Sequence, residues 1–160
     1  MNKEQTELIE LEFIEKMLIP KVRINYDQPI DEIVLPRKIK SLRLKEIEEM
    51  DIKFQPQLKG ESERDLVLVE FPFSSLPSQV INTMTELKFQ PAGIHELMAF
   101  IKMNELPEGE FFVAALRKEM CFTHVQFIPA LFGDKKFCRL GLFFLEDIPL
   151  KKGLHVIGLR

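Results

Sequence analysis

Pro91-Ala92-Gly93-Ile94-His95-Glu96-Leu97-Met98-Ala99-Phe100-Ile101-Lys102-Met103-Asn104 is the stretch that decides the fold reading. Ile94, Leu97, Met98 and Ile101 fall at i, i+3, i+4 and i+7, a single apolar stripe that must lie on a core. Pro91 and Pro107 bracket it, so a helix is expected over 93–104. Glu96, three residues after Gly93, takes the place of a capping-box acid, although Gly93 has no hydroxyl for the reciprocal bond. Just upstream, Ser74-Ser75-Leu76-Pro77 offers cap residues and a first-turn proline. Val80, Ile81, Met84 and Leu87 then recur at helical spacing, which predicts a partner helix over 77–88.

Strands flank this helix pair on both sides. Leu66-Val67-Leu68-Val69-Glu70-Phe71-Pro72-Phe73 is rich in β-branched and aromatic residues, and Pro72 puts its end at an edge or a bend. Lys21-Val22-Arg23-Ile24-Asn25-Tyr26 alternates as a half-buried strand does, and Met50, Ile52 and Phe54 alternate until Pro56 stops them. Residues 5–18 admit two readings. Ile9, Leu11 and Phe13 alternate with Glu10 and Glu12, whereas Leu8, Leu11, Met17, Leu18 and the glutamates suit a helix ended by Pro20, the reading adopted. The polar run Gly60-Glu61-Ser62-Glu63-Arg64-Asp65 reads as a surface loop.

Downstream, residues 110–116 are almost continuously apolar, as in a strand covered on both faces. Val125 to Phe132 and Phe137 to Leu145 flank Gly133-Asp134, which fits a type II′ turn or a longer loop through Lys135-Lys136. Leu154 to Leu159 supplies a last strand. Strands, two helices and strands again, without regular βαβ alternation, give an α+β class. The expected architecture is a mainly antiparallel sheet, the helix pair (77–88 and 93–104) on one face, and a C-terminal β-meander.

The 160 residues suit one domain, 1–160, with 1–59 as a covering segment and 66–160 as strand, helix pair and meander. A hydrophobic fraction of 46% with 29% charged residues is ordinary globular usage and sets disorder and fibrous repeats aside. Every apolar stretch is interrupted by Lys or Glu, well short of the about twenty apolar residues of a spanning helix, so no membrane partner is expected. Met1-Asn2-Lys3-Glu4-Gln5 runs into more glutamate rather than into a basic then apolar leader. Cys121 and Cys138 are accordingly expected to be reduced thiols, and the location cytoplasmic. Fourteen Phe stand against one Tyr and no Trp, and all seven Gly lie at or after Gly60. Few glycines and few polar-tipped aromatics count against small-molecule chemistry.

Individual chemistries fail on spacing. His95-Glu96 would open a zinc-protease helix only with a second His four residues on, and position 99 is Ala99. His95 therefore reads as an exposed first-turn residue. Cys121, His124, Cys138 and His155 lack the two close pairs of a zinc knuckle. A nucleophilic pair of Cys121 or Cys138 with His124 or His155 is the enzymatic alternative. It needs a nearby imidazolium and an oxyanion hole, yet both cysteines fall among strand residues. No G-x-S-x-G, G-x-x-x-x-G-K-[ST] or G-x-G-x-x-G motif occurs. No catalytic residue, metal ligand or cofactor is assigned.

Two surfaces remain. Arg37, Lys38, Lys40, Arg43 and Lys45 form a basic cluster, but no aromatic between 27 and 53 offers a base a stacking surface. With a net charge of −3, this argues against nucleic acid and for a solvated face, an anionic partner being the competing reading. Phe111-Phe112 and Phe143-Phe144 place neighbours on opposite faces of their strands. Helices on one face leave the other Phe set either under residues 1–59 or open to a partner or a second copy.

The segment Lys88-Phe89-Gln90-Pro91-Ala92-Gly93-Ile94-His95-Glu96-Leu97-Met98-Ala99-Phe100, with Phe111 to Leu116 and His155 to Arg160, resembles a group of small bacterial proteins. They share a G-x-R-P-A-T-x-x-E-L-L-A-F helix followed by a meander. The likeness covers about residues 66–160 and departs at Phe89, Gln90 and Gly93, where the pattern has Gly, Arg and Thr. That group has no assigned activity, so the resemblance implies the order of elements and a bacterial source and transfers no residue role. The functional expectation is a non-enzymatic protein that binds a macromolecular partner or itself.

Overall fold

A computed structural model describes residues 14–36, 39–40, 47, 49–50, 52–71, 77–103, 106–122, 125–147 and 154–160. Ten strands among them form one sheet: β1 (Ile14–Asn25), β2 (Ile39–Lys40), β3 (Lys53–Phe54), β4 (Glu61–Phe71), β5 (Gln90–Pro91), β6 (Phe111–Ala114), β7 (Met120–Phe122), β8 (Val125–Gly133), β9 (Cys138–Phe144) and β10 (Leu154–Leu159). The helices are α1 (Pro77–Glu86) and α2 (Ile94–Lys102). The main path runs β1-β4-β10-β6-β8-β7-β3, with β9 on the other side of β8, β2 beside β9 and β5 beside β10. Pairing is antiparallel except for β10 with β6 and β2 with β9. The chain is thus an α+β fold on a large, mostly antiparallel sheet.

Alternation sorts the side chains into two cores. Leu66 and Leu68 of β4, Phe111 and Val113 of β6, Phe127 and Leu131 of β8 and Ile157 of β10 face one core. Val67, Val69, Ala114, Ile128, Ala130 and Val156 face the other. The helix pair divides between them. Ile94, Leu97, Met98, Phe100 and Ile101 of α2 pack in the first core, and Val80 and Met84 of α1 in the second. One helix therefore serves each core, where the sequence reading put both on one face. The first core is also closed by Ile24, Tyr26, Ile30, Ile39, Ile47 and Ile52, so the N-terminal segment covers one face while adding β1, β2 and β3 to the sheet.

Several expectations meet a different outcome. Residues 14–18, read as helix, belong to β1, and 5–13 lie outside the described residues. Pro20 does not end the element. Among the described residues β1 is paired on one side, so a proline there breaks no described ladder bond, and one extra residue between Ile19 and Val22 forms a bulge. Lys21 takes φ +53° in that bulge and donates its N–H to Asp65 Oδ1 at 2.9 Å. The polar run 61–65 is strand: Glu61 to Arg64 pair with Asn25 to Val22. β7, β8 and β9 form the meander, but β10 leaves it to lie between β4 and β6. The β8–β9 connection is the longer loop, Asp134 Oδ1 accepting from the Lys136 and Phe137 N–H groups, each at 2.9 Å.

β10 is central because all six of its residues are buried. Gly158 is required for close approach: a Cβ there would lie 2.8 Å from Met84 Cε and 3.2 Å from Val67 Cγ2. Gly158→Ala is expected to cost about 1–3 kcal/mol, through overpacking between α1 and the sheet. The check is the urea midpoint, and an unchanged midpoint would contradict this packing.

Candidate functional site

The first turn of α2 begins the functional geometry. Gly93, extended at φ −109°, precedes the helix, and its N–H donates to Glu96 Oε2 at 3.1 Å. That is half of a capping box, made without a hydroxyl. Glu96 is fully buried and accepts three more bonds: Tyr26 Oη donates at 3.0 Å, and Arg117 donates from both Nη atoms in a two-pronged pair. Arg117 follows β6, and its backbone N–H donates to Ala92 O at 2.8 Å. Its Nη1 also lies 3.7 Å from Glu119 Oε1. Glu119 in turn holds the chain around β3, accepting from Gln57 N–H on Oε2 at 2.9 Å and from Gln55 N–H on its carbonyl at 2.7 Å.

This cluster contains two carboxylates and one guanidinium, so one negative charge lacks a counterpart. Burial raises the Glu119 carboxyl above its ordinary range, against the lowering effects of the Gln57 N–H and Arg117. A raised carboxyl titration makes its contribution to stability largest in acid and diminishing as pH rises through it. Tyr26 is pushed up to about 12, first by burial and then by the charge and hydrogen bond of Glu96. Gly93 is needed for space, since a Cβ would fall 1.8 Å from Glu119 Oε1.

His95, read as exposed, is 4% exposed. Its ring meets Tyr26 edge to face at 5.7 Å and Phe54 at 6.1 Å. Nε2 lies 2.8 Å from Gln28 O, and a carbonyl only accepts, so Nε2 carries the proton. Nδ1 is buried with no hydrogen-bond partner among the described residues. His95 also joins a groove of about 320 Å³ between β1 and α2, within the size range of small-ligand pockets.

The second feature lies on the opposite sheet face. Cross-strand pairing puts Phe112 opposite Phe132 and Phe132 opposite Arg139, and sets Lys40 beside Arg139. The Phe143 ring meets Phe112 at 5.1 Å and Phe132 at 5.4 Å, both edge to face. Gly141 makes room, since a Cβ would lie 3.1 Å from Phe132 Cε1. The three rings are half-buried, and Lys40 and Arg139 are exposed. α1 covers the β4–β10 part of this face, with Met84 over Gly158, Leu145 packs at its margin, and no described α-helix covers the Phe platform.

Of the sequence-predicted surface, Phe112 and Phe143 meet on this platform. Phe111 is sealed in the first core, and Phe144 packs against Phe127 at 4.5 Å on that other face. Within the basic cluster Lys40 is described and exposed, and Arg37, Lys38, Arg43 and Lys45 lie outside the described residues, as does His124. Cys138 and His155 are not brought together: three strand spacings, roughly 14 Å, separate β9 from β10. Cys121 and Cys138 pair with Gln126 and Gly133 of β8, roughly 23 Å apart along the strand. Among the described residues no three His, Cys, Asp or Glu side chains gather as a metal site, and no helix is long and apolar enough to cross a membrane. Tyr26, Arg117 and Glu119 were not singled out in sequence, and only Glu96 carried a signal, as a cap.

No family model, curated protein or solved structure matches the chain.

Tyr26 is the sole tyrosine and tryptophan is absent, so near-ultraviolet phenolate absorbance reports this cluster alone. Read directly after a pH jump, the native midpoint is expected near 12, against about 10 in urea. Folding stability should fall as pH climbs from about 10 through that midpoint, because the folded state holds the phenol proton more tightly. Glu96→Gln should move the native midpoint back toward 10. A native midpoint near 10 would contradict the bond to Glu96.

Proposed function

We propose that this chain acts in the cytoplasm as a non-enzymatic binding module that docks a protein partner on the Phe112–Phe132–Phe143 platform. One observation carries the reading: three half-buried aromatic rings, interlocked edge to face above Gly141, stand on a part of the sheet face that α1 does not reach. Aromatic anchors in a rigid, pre-formed cluster give binding energy at little conformational cost. Lys40 and Arg139 at the margin select a partner with an apolar anchor beside acidic residues. Phe137, 71% exposed in the loop before β9, extends the apolar area. Two thiols held far apart, Cys121 on β7 and Cys138 on β9, suit a reducing compartment. The Pro91-Ala92 and Glu96-Leu97-Met98-Ala99-Phe100 likeness supports a bacterial source. Of the Cys/His alternative, the Cys138–His155 pairing is three strands apart, and the pairings with His124 lie outside the described residues.

A photo-reactive phenylalanine analogue at Phe137, used in host cells, is expected to give one predominant protein adduct. Phe143→Glu should abolish that adduct while leaving the far-ultraviolet dichroism unchanged. Sedimentation of the pure chain separates the self-association form of this reading, which predicts a dimer dissociated by the same substitution. Adducts that survive Phe143→Glu would contradict the platform's role.

A further inference from the structure

The groove between β1 and α2 is independent of the Phe platform, on the other side of the sheet. It follows the edge of β1 that no described strand pairs, and residues of both the buried and the exposed rows of that strand line it. Val22, Ile24 and Met98 supply an apolar wall, and Lys21, Arg23 and Lys102 bring three cations. No carboxylate is among the lining residues. Lys21 lines the groove from a bulge and takes a left-handed φ of +53° there. Arg23 has a loose, solvent-exposed contact with Glu61 at 3.8 Å, which a ligand can displace.

His95 also lines the groove. Its Nε2–H is committed to the Gln28 carbonyl, which fixes the ring. Nδ1 is buried and has no hydrogen-bond partner among the described residues. Nδ1 can only accept, so a carboxylate, which brings no proton, is held by the three cations and not by the imidazole. The available volume equals that of about ten liquid waters, enough for a compact organic molecule but not for a folded element.

We infer that this groove binds a small amphipathic carboxylate, its apolar body on Val22, Ile24 and Met98 and its anionic head among Lys21, Arg23 and Lys102. An acidic extended peptide along the β1 edge is a different occupant and is an outcome of the test. The probe is octanoate, with octanol as the uncharged control and hexaglutamate as the acidic peptide, followed by heteronuclear NMR and calorimetry. Octanoate should bind saturably, one per chain, shifting the His95 ring and Met98 methyl signals. Octanol and the Lys102→Glu variant should each bind at least about tenfold more weakly, as loss of one charged contact implies. Ala99→Trp, which fills the groove, should abolish binding, the Tyr26 titration confirming that this variant is folded. Phe143→Glu should leave octanoate affinity unchanged, which separates this site from the platform. No saturable binding up to about 10 mM, equal affinity for octanol, tighter binding of hexaglutamate, or retention of affinity by Ala99→Trp would each overturn the inference.

Discussion

The buried pair of Glu96 and Arg117 is the constraint on which the remainder of the structure depends. Glu96 accepts from Tyr26, Gly93 and both terminal nitrogens of Arg117, so one carboxylate joins the end of β1, the start of α2 and the segment after β6. A charge so deeply buried is tolerable only when its lone pairs are all engaged, and removing one partner of such a pair costs about 3–5 kcal/mol. Against a net stability of about 5–15 kcal/mol, that cost is large. Glu119 extends the same clasp to residues 55 and 57, which ties β3 to the cluster. The N-terminal segment is therefore held by directional bonds as well as by apolar burial.

Two binding features follow from how this clasp orients the fold. By fixing the first turn of α2, it places His95 between Tyr26, Phe54 and the groove, with Nε2 on Gln28. By filling the first face with α2 and the N-terminal segment, it leaves α1 as the α-helix on the second face among the described residues. α1 reaches the β4–β10 part of that face, and the Phe112–Phe132–Phe143 cluster stands beyond it. The platform and the groove thus answer to one arrangement but lie on opposite sides of the sheet, and substitutions in one need not disturb the other.

How much of this was legible depends on whether the deciding contacts are local. α2 and the strands at 66–71, 125–133 and 154–159 could be read because their side chains carry the period of the element. β1 was legible only from Lys21 onward. Its earlier residues suit either period, and Pro20 reads as a stop unless the bulge and the open edge are known. Glu61 to Arg64 looked like a loop because their strand character comes from pairing with β1, some forty residues away. The exit of β10 from the meander is likewise a non-local pairing. Phe112 and Phe143 were legible as outward candidates, but Phe111 and Phe144 took the other phase. Arg117 and Glu119 carry no local sign of burial, since their partners lie 21 and 62 residues away in sequence. His95 looked exposed for the same reason: Gln28, Tyr26 and Phe54 cover it from far along the chain.

The claim that the Glu96–Arg117 pair clasps the N-terminal segment to the core is tested most directly by a double-mutant cycle. Glu96→Gln, Arg117→Met and the combined variant would be compared in urea unfolding, with amide exchange recorded for β1 and β3. The account predicts a coupling energy of at least about 2 kcal/mol and accelerated exchange in β1 and β3 ahead of β4 and β10. Additive single effects, with exchange rising evenly across the sheet, would contradict it.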